Sequence, residues 1–245
     1  MINDQRFEVK FATTRQELDE VYKLRYEDLV LEYNQAPSNT NDESHYDKYA
    51  QHLIVKEVAT GQICGYYRMI TSDAAVQHGN KFVCEEEFNI DTLKAQGDKI
   101  CEFSRAVIKK EFRGSAVLLL LWKFILNYIR ENNYRYLVGD ASFFGTDREA
   151  YKEEISYLIN NHCCDAALNV ISRDTLPPMQ FIDTSALNER QILRKLPPLI
   201  RGYIALGAKV APQPFSDFKF QSVDVFILLD MQNCNTDYIN RMFKQ

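Results

Sequence analysis

The segment Cys101-Glu102-Phe103-Ser104-Arg105-Ala106-Val107-Ile108, running through Phe112-Arg113-Gly114-Ser115 into the apolar stretch 117–126, constrains the fold more than any other part of the chain. Its first part predicts a strand over 100–108, the Arg113-Gly114 step a tight basic turn, and the leucine-rich part a helix over 115–131. The first amides of a helix have no partner within it and carry a partial positive charge, so a phosphate is readily held there. Glu102, on the preceding strand, then lies close to whatever a phosphate-bearing arm delivers. This layout suits acyl transfer from a pantetheine thioester to an amine. A buried strand–helix unit with an incidental turn fits the same residues.

The bulk numbers narrow the choice. A chain of 245 residues can bury one sizeable core, which predicts a single domain over 1–245 with irregular excursions at about 71–99 and 145–190. Hydrophobic residues make up 46% and charged ones 26%, the balance of a globular protein, and a net charge of −5 argues against nucleic-acid binding. Residues 1–10 mix charges without an apolar core, so no signal peptide is expected there, and the run 117–126 is too short to span a bilayer. Cytoplasmic residence is the expectation. The six cysteines form no C-x-x-C pair, and His162-Cys163-Cys164 lacks the second cluster that a tetrahedral metal site needs, so no metal is expected.

Along the chain, 7–12 alternates like a strand and Thr14-Arg15-Gln16-Glu17 is a capping box, followed by Leu18, Val21, Leu24 and Leu29 at helical spacing. A polar loop occupies 34–45. The runs 51–58 and 63–70 flank Thr60-Gly61 as a hairpin. Residues 71–99 predict an excursion with one short helical piece. A strand is expected over 135–139, an amphipathic helix over 148–162, and irregular chain over 166–184. Pro197-Pro198 opens a helix that Gly207 closes, and 209–211 and 223–231 are final strands. The order predicts one mixed, mostly antiparallel α/β sheet with helices on both faces.

That order, with Arg113-Gly114 at the head of a central helix, resembles the GNAT acyltransferase superfamily. A sharper resemblance is to its amino-acid N-acyltransferase branch, typified by the ornithine N-acyltransferases of aminolipid synthesis, with acyl-homoserine-lactone synthases more distant. It rests on Leu24-Arg25-Tyr26, on Tyr46-Asp47 leading to His52-Leu53-Ile54-Val55, on Gly65-Tyr66-Tyr67-Arg68 and on Glu102-Phe103-Ser104-Arg105. Leu121-Trp122, Asp140-Ala141-Ser142-Phe143, Leu196-Pro197-Pro198 through Gly202-Tyr203, Leu206-Gly207-Ala208-Lys209 and 224–230 extend it. Where the lactone synthases often carry an acid three places before the second aspartate of the N-terminal loop, this chain has Ser44, with Asp42 and Glu43 nearby. That departure points away from lactone formation.

The resemblance implies a GNAT-like fold and an acyl-phosphopantetheine donor. The shortened loop leans toward acyl carrier protein over coenzyme A, with Arg113, Gly114 and Ser115 at the phosphate. Glu102 is the expected general base for the acceptor amine, since desolvation on an apolar strand raises a carboxyl pKa toward neutrality. The alternative is an ion pair with Arg105 or Arg68 that only locks the sheet. Glu102 and Arg105 are an odd number apart, so serving one site requires a β-bulge between them. Arg25, Arg68 and Arg105 suit the carboxylate of a free amino acid, with Asp47 orienting them or meeting a cationic side chain; a structural salt-bridge network uses the same residues. Tyr203 would protonate the departing thiolate, and Ser142 would hydrogen-bond the intermediate or the pantetheine.

Lys109, Lys110, Arg113, Lys123 and Arg130 form a basic cluster suited to an acidic carrier protein, or a merely solvated face. The expected reaction moves a long-chain acyl group, 3-hydroxylated or plain, to the α-amine of an amino acid, ornithine first. Glycine, lysine or tyrosine as acceptor, a lactone synthase, and a non-catalytic acyl-binding module are the rivals. No permanently bound cofactor is required, and a hydrophobic product suggests loose contact with the inner membrane.

Overall fold

The computed structural model describes residues 2–3, 5–33, 42–185 and 187–244; most of the polar 34–45 loop lies outside them. Their strands are β1 (Ile2–Asn3), β2 (Phe7–Phe11), β3 (Gln51–Glu57), β4 (Ile63–Thr71), β5 (Phe88–Asn89), β6 (Ile100–Ile108), β7 (Tyr136–Phe144), β8 (Ile171–Ser172), β9 (Lys209–Val210), β10 (Phe215–Asp217) and β11 (Ser222–Asp230). They are divided between two compact units. The first takes the residues up to Phe82, Cys101–Tyr134 and the last few from Met242; the second takes Val83–Ile100 and Arg135–Arg241.

In the first unit β1, β2, β3, β4 and β6 pair antiparallel in that order. The β3–β4 hairpin turns at Gly61, whose φ of +72° suits a residue without Cβ. Alternation places His52, Ile54, Tyr66, Arg68, Ile70, Glu102 and Ser104 on one face, and Leu53, Val55, Gly65, Tyr67, Met69 and Phe103 on the other.

Helix Arg15–Arg25 covers the first face. Its capping box forms as expected, with the Thr14 side chain accepting from Glu17 N–H and Glu17 reaching back to Thr14 N–H. Val21, Tyr22 and Leu24 pack against Ile54, Tyr66 and Val107. The opposite face receives helix Val117–Glu131. Trp122 Nε1 donates to the Tyr67 hydroxyl at 3.2 Å, and a Cβ on Gly65 would collide with the Val117 side chain, so glycine sets how closely helix and sheet approach.

In the second unit β7 and β11 pair antiparallel along their whole lengths, from Ser222 opposite Phe144 to Asp230 opposite Tyr136. β10 and β9 are antiparallel to β11, β5 and β8 form a separate pair, and Cys163 makes a parallel bridge to Val210. The fold is thus a mixed, mostly antiparallel sheet flanked by helices. Pro198 stands in the first turn of helix Pro198–Ala205, and the chain leaves it through Gly207 at φ +94°.

Several elements differ from the expectation. The stretch 71–99 holds helices Ser72–Gln77 and Asp91–Ala95, a 3₁₀ turn at Val83–Glu86 and strand β5, where one helical piece was expected. Helix Val117–Glu131 starts two residues late because Ser115 N–H closes a turn onto the Phe112 carbonyl, with Gly114 left-handed at φ +80°. β7 runs on to Phe144, and β10 and helices Glu189–Lys195 and Thr236–Lys244 are additional. The cysteines are all free thiols, four of them buried. No helix of the described residues is long and apolar enough to cross a membrane.

Candidate active site

The first face of the β1–β6 sheet is covered by an amphipathic helix, yet its centre is charged. The helix ends at Arg25, where the backbone widens into a π-type turn over Tyr26–Val30, a local irregularity that re-aims a side chain. Arg25 is 0% exposed. Its Nε donates to Asp42 Oδ2 at 2.8 Å, Nη1 to Asp47 Oδ1 at 2.7 Å, and Nη2 to Asp47 Oδ2 at 3.3 Å and to the Asp42 carbonyl. One guanidinium therefore ties the 42–47 segment to the end of the helix.

Asp47 gathers donors. Besides Arg25 it accepts from Arg68 Nη1 at 3.4 Å, Ser44 N–H at 2.7 Å and the Ser44 hydroxyl at 3.2 Å. Burial would raise its pKa, but the charge and hydrogen bonds of Arg25, the charge of Arg68 and the Ser44 amide hold it down at about 2. Its lone pairs are committed, so Asp47 orients arginines in this structure. Sequence left three readings open, an orienting carboxylate, a contact for a cationic side chain and a structural salt-bridge network; the bonds of Asp47 to Arg25 and Arg68 are those of the first and the third.

Next to it sits a buried neutral pair. His52 Nε2 faces the Asp47 carbonyl at 3.2 Å and must carry the proton, which leaves Nδ1 to accept from the Tyr66 hydroxyl at 2.9 Å. Burial lowers the His52 pKa and pushes the Tyr66 hydroxyl up to about 12 against the opposing charges of Arg25 and Arg68. Both stay uncharged near neutrality and hold the floor beneath the arginines. Sequence reasoning gave them no role, although His52 stands directly opposite Arg68 in the ladder.

Arg68 is 1% exposed. Its Nε donates to the Ser104 hydroxyl at 3.0 Å and Nη1 to the Ser44 hydroxyl at 3.0 Å. Burial lowers its pKa, and the like charges of Arg105 and Arg25 push the same way. Ser104 is the residue across from it on β6, and Glu102, 0% exposed, lies two positions further along that strand. Glu102 and Arg68 are diagonal neighbours on one sheet face.

Beyond Ser104 the ladder breaks. Arg68 pairs with Ser104 and Tyr66 with Val107, so Arg105 and Ala106 oppose the single residue Tyr67. This bulge lies at the outer end of the predicted interval. Arg105 takes a left-handed conformation, φ +55°, costly for a residue with a Cβ. Its Nε donates to Asp42 Oδ2 at 3.0 Å, the oxygen that also serves Arg25. Arg25, Asp42, Asp47, Arg68, Arg105 and Glu102 are thus brought together in the first unit.

Other expected residues sit differently. Arg113 makes a two-pronged ion pair with Glu32, at 2.8 and 2.6 Å, and also donates to the Asp28 carbonyl at 3.1 Å. The N-cap residue of helix Val117–Glu131 is Ala116, without a capping side chain, and the Ser115 hydroxyl accepts from Val117 N–H at 3.4 Å while donating to the Phe112 carbonyl. Ser142 and Tyr203 are half-buried residues of the second unit, Ser142 facing Asp224 across the β7–β11 ladder. That unit also holds an open groove of about 820 Å³ lined by Tyr157, Asn160, Phe181, Ile182 and Leu187 among others, and none of the residues singled out from sequence lines it. The carboxylate oxygens of Glu87, Asp217 and Asp224 converge within 4.8 Å there, a grouping that sequence spacing does not reveal.

Comparison with known proteins completes the description. Residues 24–123 match the acetyltransferase (GNAT) domain, a range that spans Arg25, Asp47, Arg68, Glu102, Arg105 and Arg113. The chain is 29% identical to an L-ornithine N(alpha)-acyltransferase of Rhodobacter capsulatus over 236 residues, covering 92% of this chain and 90% of that one. A protein of the same name from Agrobacterium fabrum is 28% identical over 95% of this chain and 84% of its own length. Among solved structures, an N-acyl amino acid synthase from uncultured soil microbes superposes with a TM-score of 0.51 at 10% identity, covering 93% and 92% of the two chains. A CoA-dependent acyl-homoserine lactone synthase gives 0.52 at 12% identity over 98% and 88%. These two likenesses establish the fold.

Proposed function

We propose that the chain, working as one domain over 1–245, is an N-acyltransferase that moves a long-chain acyl group, 3-hydroxylated or plain, from acyl carrier protein to the α-amine of L-ornithine, giving a lyso-ornithine lipid. The observation that carries this reading is the placement of Glu102, a fully buried carboxyl diagonal to Arg68 on the sheet face that holds the arginine–aspartate network. The ornithine acceptor is supported by the name shared by the relatives from Rhodobacter capsulatus and Agrobacterium fabrum.

In the proposed reaction the arginine set holds the amino acid by its carboxylate and presents its amine. Glu102 takes a proton from the ammonium, directly or through a water, and the freed amine attacks the thioester carbonyl. The new C–N bond forms and the C–S bond breaks; the leaving thiolate takes a proton, for which Tyr203 is the proposed donor, and the nitrogen, cationic once bonded to carbon, gives up its second proton, which restores the tyrosine hydroxyl. Ser142 is proposed to hydrogen-bond the intermediate or the pantetheine. Amide formation from a thioester is downhill, so positioning and proton transfer suffice. Arg113, Gly114 and Ser115 are proposed to receive the phosphopantetheine phosphate, which then has to displace Glu32 from Arg113. The acyl carrier protein approaches the basic residues around Lys109 and Lys110, and the product leaves toward the inner membrane.

The test is an assay of the purified chain with acyl carrier protein and coenzyme A thioesters of one acyl group against ornithine, lysine, glycine and tyrosine, read by mass spectrometry. Acyl-ornithine formed from the carrier-protein donor is expected. Acyl-glycine alone overturns the acceptor, a preference for coenzyme A overturns the donor, and acyl binding without any product makes the chain a binding module.

A further inference from the structure

Asp42 and Asp47 each serve two guanidiniums, Asp42 those of Arg25 and Arg105, Asp47 those of Arg25 and Arg68. The sharing is uneven. Asp47 Oδ1 stands 2.7 Å from Arg25 and 3.4 Å from Arg68. What touches Arg68 closely is neutral: the hydroxyls of Ser44 and Ser104, each at 3.0 Å, and the face of the Tyr46 ring, 5.7 Å from its guanidinium carbon. Among the described residues its Nη2 donates to nothing. A guanidinium 1% exposed normally has a carboxylate of its own, because burying charge without one is costly.

Ser44 stands where such a partner would be. Its hydroxyl accepts from Arg68 Nη1 and passes its own proton to Asp47 Oδ2 at 3.2 Å. A carboxylate built on this position would meet Arg68 directly. We infer that Ser44 determines acceptor specificity: by offering Arg68 a hydroxyl in place of a second carboxylate, it leaves that guanidinium with only a 3.4 Å share of Asp47, so that the carboxylate of the acceptor completes its pairing and acceptors that bring one are selected. The inference rests on the proposed amino-acid acylation and adds the residue that tunes it. Ser44 acts through Arg68 and is a positioning residue.

The physical consequence is a preference for the acid over its amide. A site that pairs a buried charge with a substrate group rejects the analogue lacking that group, because the charge is then left uncompensated. Ser44→Asp supplies the missing carboxylate and keeps a residue suited to the helical cap position that Ser44 occupies. Ser44→Asn has nearly the same shape without the charge.

The experiment compares L-ornithine with L-ornithinamide, both as acceptors (kcat/KM with the acyl-carrier donor) and as ligands of the full chain by calorimetry. Wild type and Ser44→Asn are expected to favour ornithine by roughly a hundredfold or more. Ser44→Asp should lose at least tenfold of that preference, through KM for ornithine. An undiminished preference in Ser44→Asp overturns the inference, as does an equal loss in Ser44→Asn. Should the Asp variant fail to fold, the wild-type ratio decides, and a ratio near one is fatal. Absence of acylation with ornithine-selective binding retained would sink the proposed function and leave the carboxylate assignment to Arg68 standing.

Discussion

The two faces of the first unit's sheet use the same strands for opposite ends. On one, Gly65 lies against Val117 and Leu121, and Trp122 donates to the Tyr67 hydroxyl among buried apolar residues. On the other, Tyr66, Arg68 and Glu102 lie under a helix whose last residue is itself a buried arginine. Adjacent residues of β4 and β6 thus alternate between apolar packing and buried charge. Burial alone does not distinguish the faces, since both are closed to solvent. The distinction is that one face satisfies itself by shape and the other by counting charges and hydrogen bonds.

The comparison is broken most severely by removing the proposed base. Glu102→Gln preserves shape and takes away the proton acceptor, so turnover should fall about 10²–10⁴-fold with little loss of fold. Single-turnover rates check it, and undiminished turnover removes Glu102 from the mechanism. Arg25→Ala attacks the same face through structure, leaving Asp42 and Asp47 short of their shared partner. About 3–5 kcal/mol of stability should be lost, read as a lowered urea midpoint. A change under about 1 kcal/mol would mean that the network carries little of the fold.

The apolar face answers to volume. Gly65→Ala places a methyl against Val117 with Leu121 close behind, so about 1–3 kcal/mol should be lost while the kcat of the residual folded protein stays near wild type. An unaltered melting temperature would show that the helix can shift away at no cost.

Acid titration sharpens the contrast. The Asp47 carboxyl is held at about 2 in the folded chain against a usual 3.8, so the native state binds fewer protons than the unfolded one. Its contribution, about 2 kcal/mol, is complete above pH ~4 and disappears as pH falls toward ~2. Glu17, also lowered to about 2, titrates in the same direction, so the difference between wild type and Asp47→Asn isolates the aspartate. If the two stability curves run parallel from pH 5 to pH 2, the depressed pKa is not real.

Much of this was legible in the residues. β6 has its expected bounds because polar and apolar residues alternate between a charged entry and a basic turn, and Gly61, Pro198 and Gly207 mark turns by backbone chemistry alone. A bulge between Glu102 and Arg105 was the condition for both to serve one site, and the ladder stays regular through Ser104 and breaks at Arg105–Ala106. Helix Glu189–Lys195 had a signal that was passed over: Asn188, which caps the Gln191 amide. What sequence could not show is occupancy. Apart from the local Ser44–Asp47 contact, three positions apart, that Arg25 and Arg68 both reach Asp47, that Arg113 is held by Glu32, or that Arg68 meets Ser44 depends on elements meeting across 21 to 81 positions. No local pattern encodes those meetings.

The finest distinction lies at Arg105, where backbone and side chain have opposite effects. At φ +55° any residue with a Cβ is strained, by about 1–2 kcal/mol for a non-glycine residue, whereas the Arg105–Asp42 pair, with the arginine side chain 29% exposed, contributes less than about 1 kcal/mol. Arg105→Gly loses the pair but relieves the strain, so its stability should stay within about 1 kcal/mol of wild type. Arg105→Ala loses the pair and keeps the strain, and should be the less stable of the two by about 1 kcal/mol. Both lack the guanidinium and should show the same reduced acylation. Equal melting temperatures for the two variants would mean that the native bulge is not left-handed, and full activity in the glycine variant would mean that the strain serves no site. A stable, inactive glycine variant is the expected outcome, because a strained arginine is retained only where its guanidinium is used.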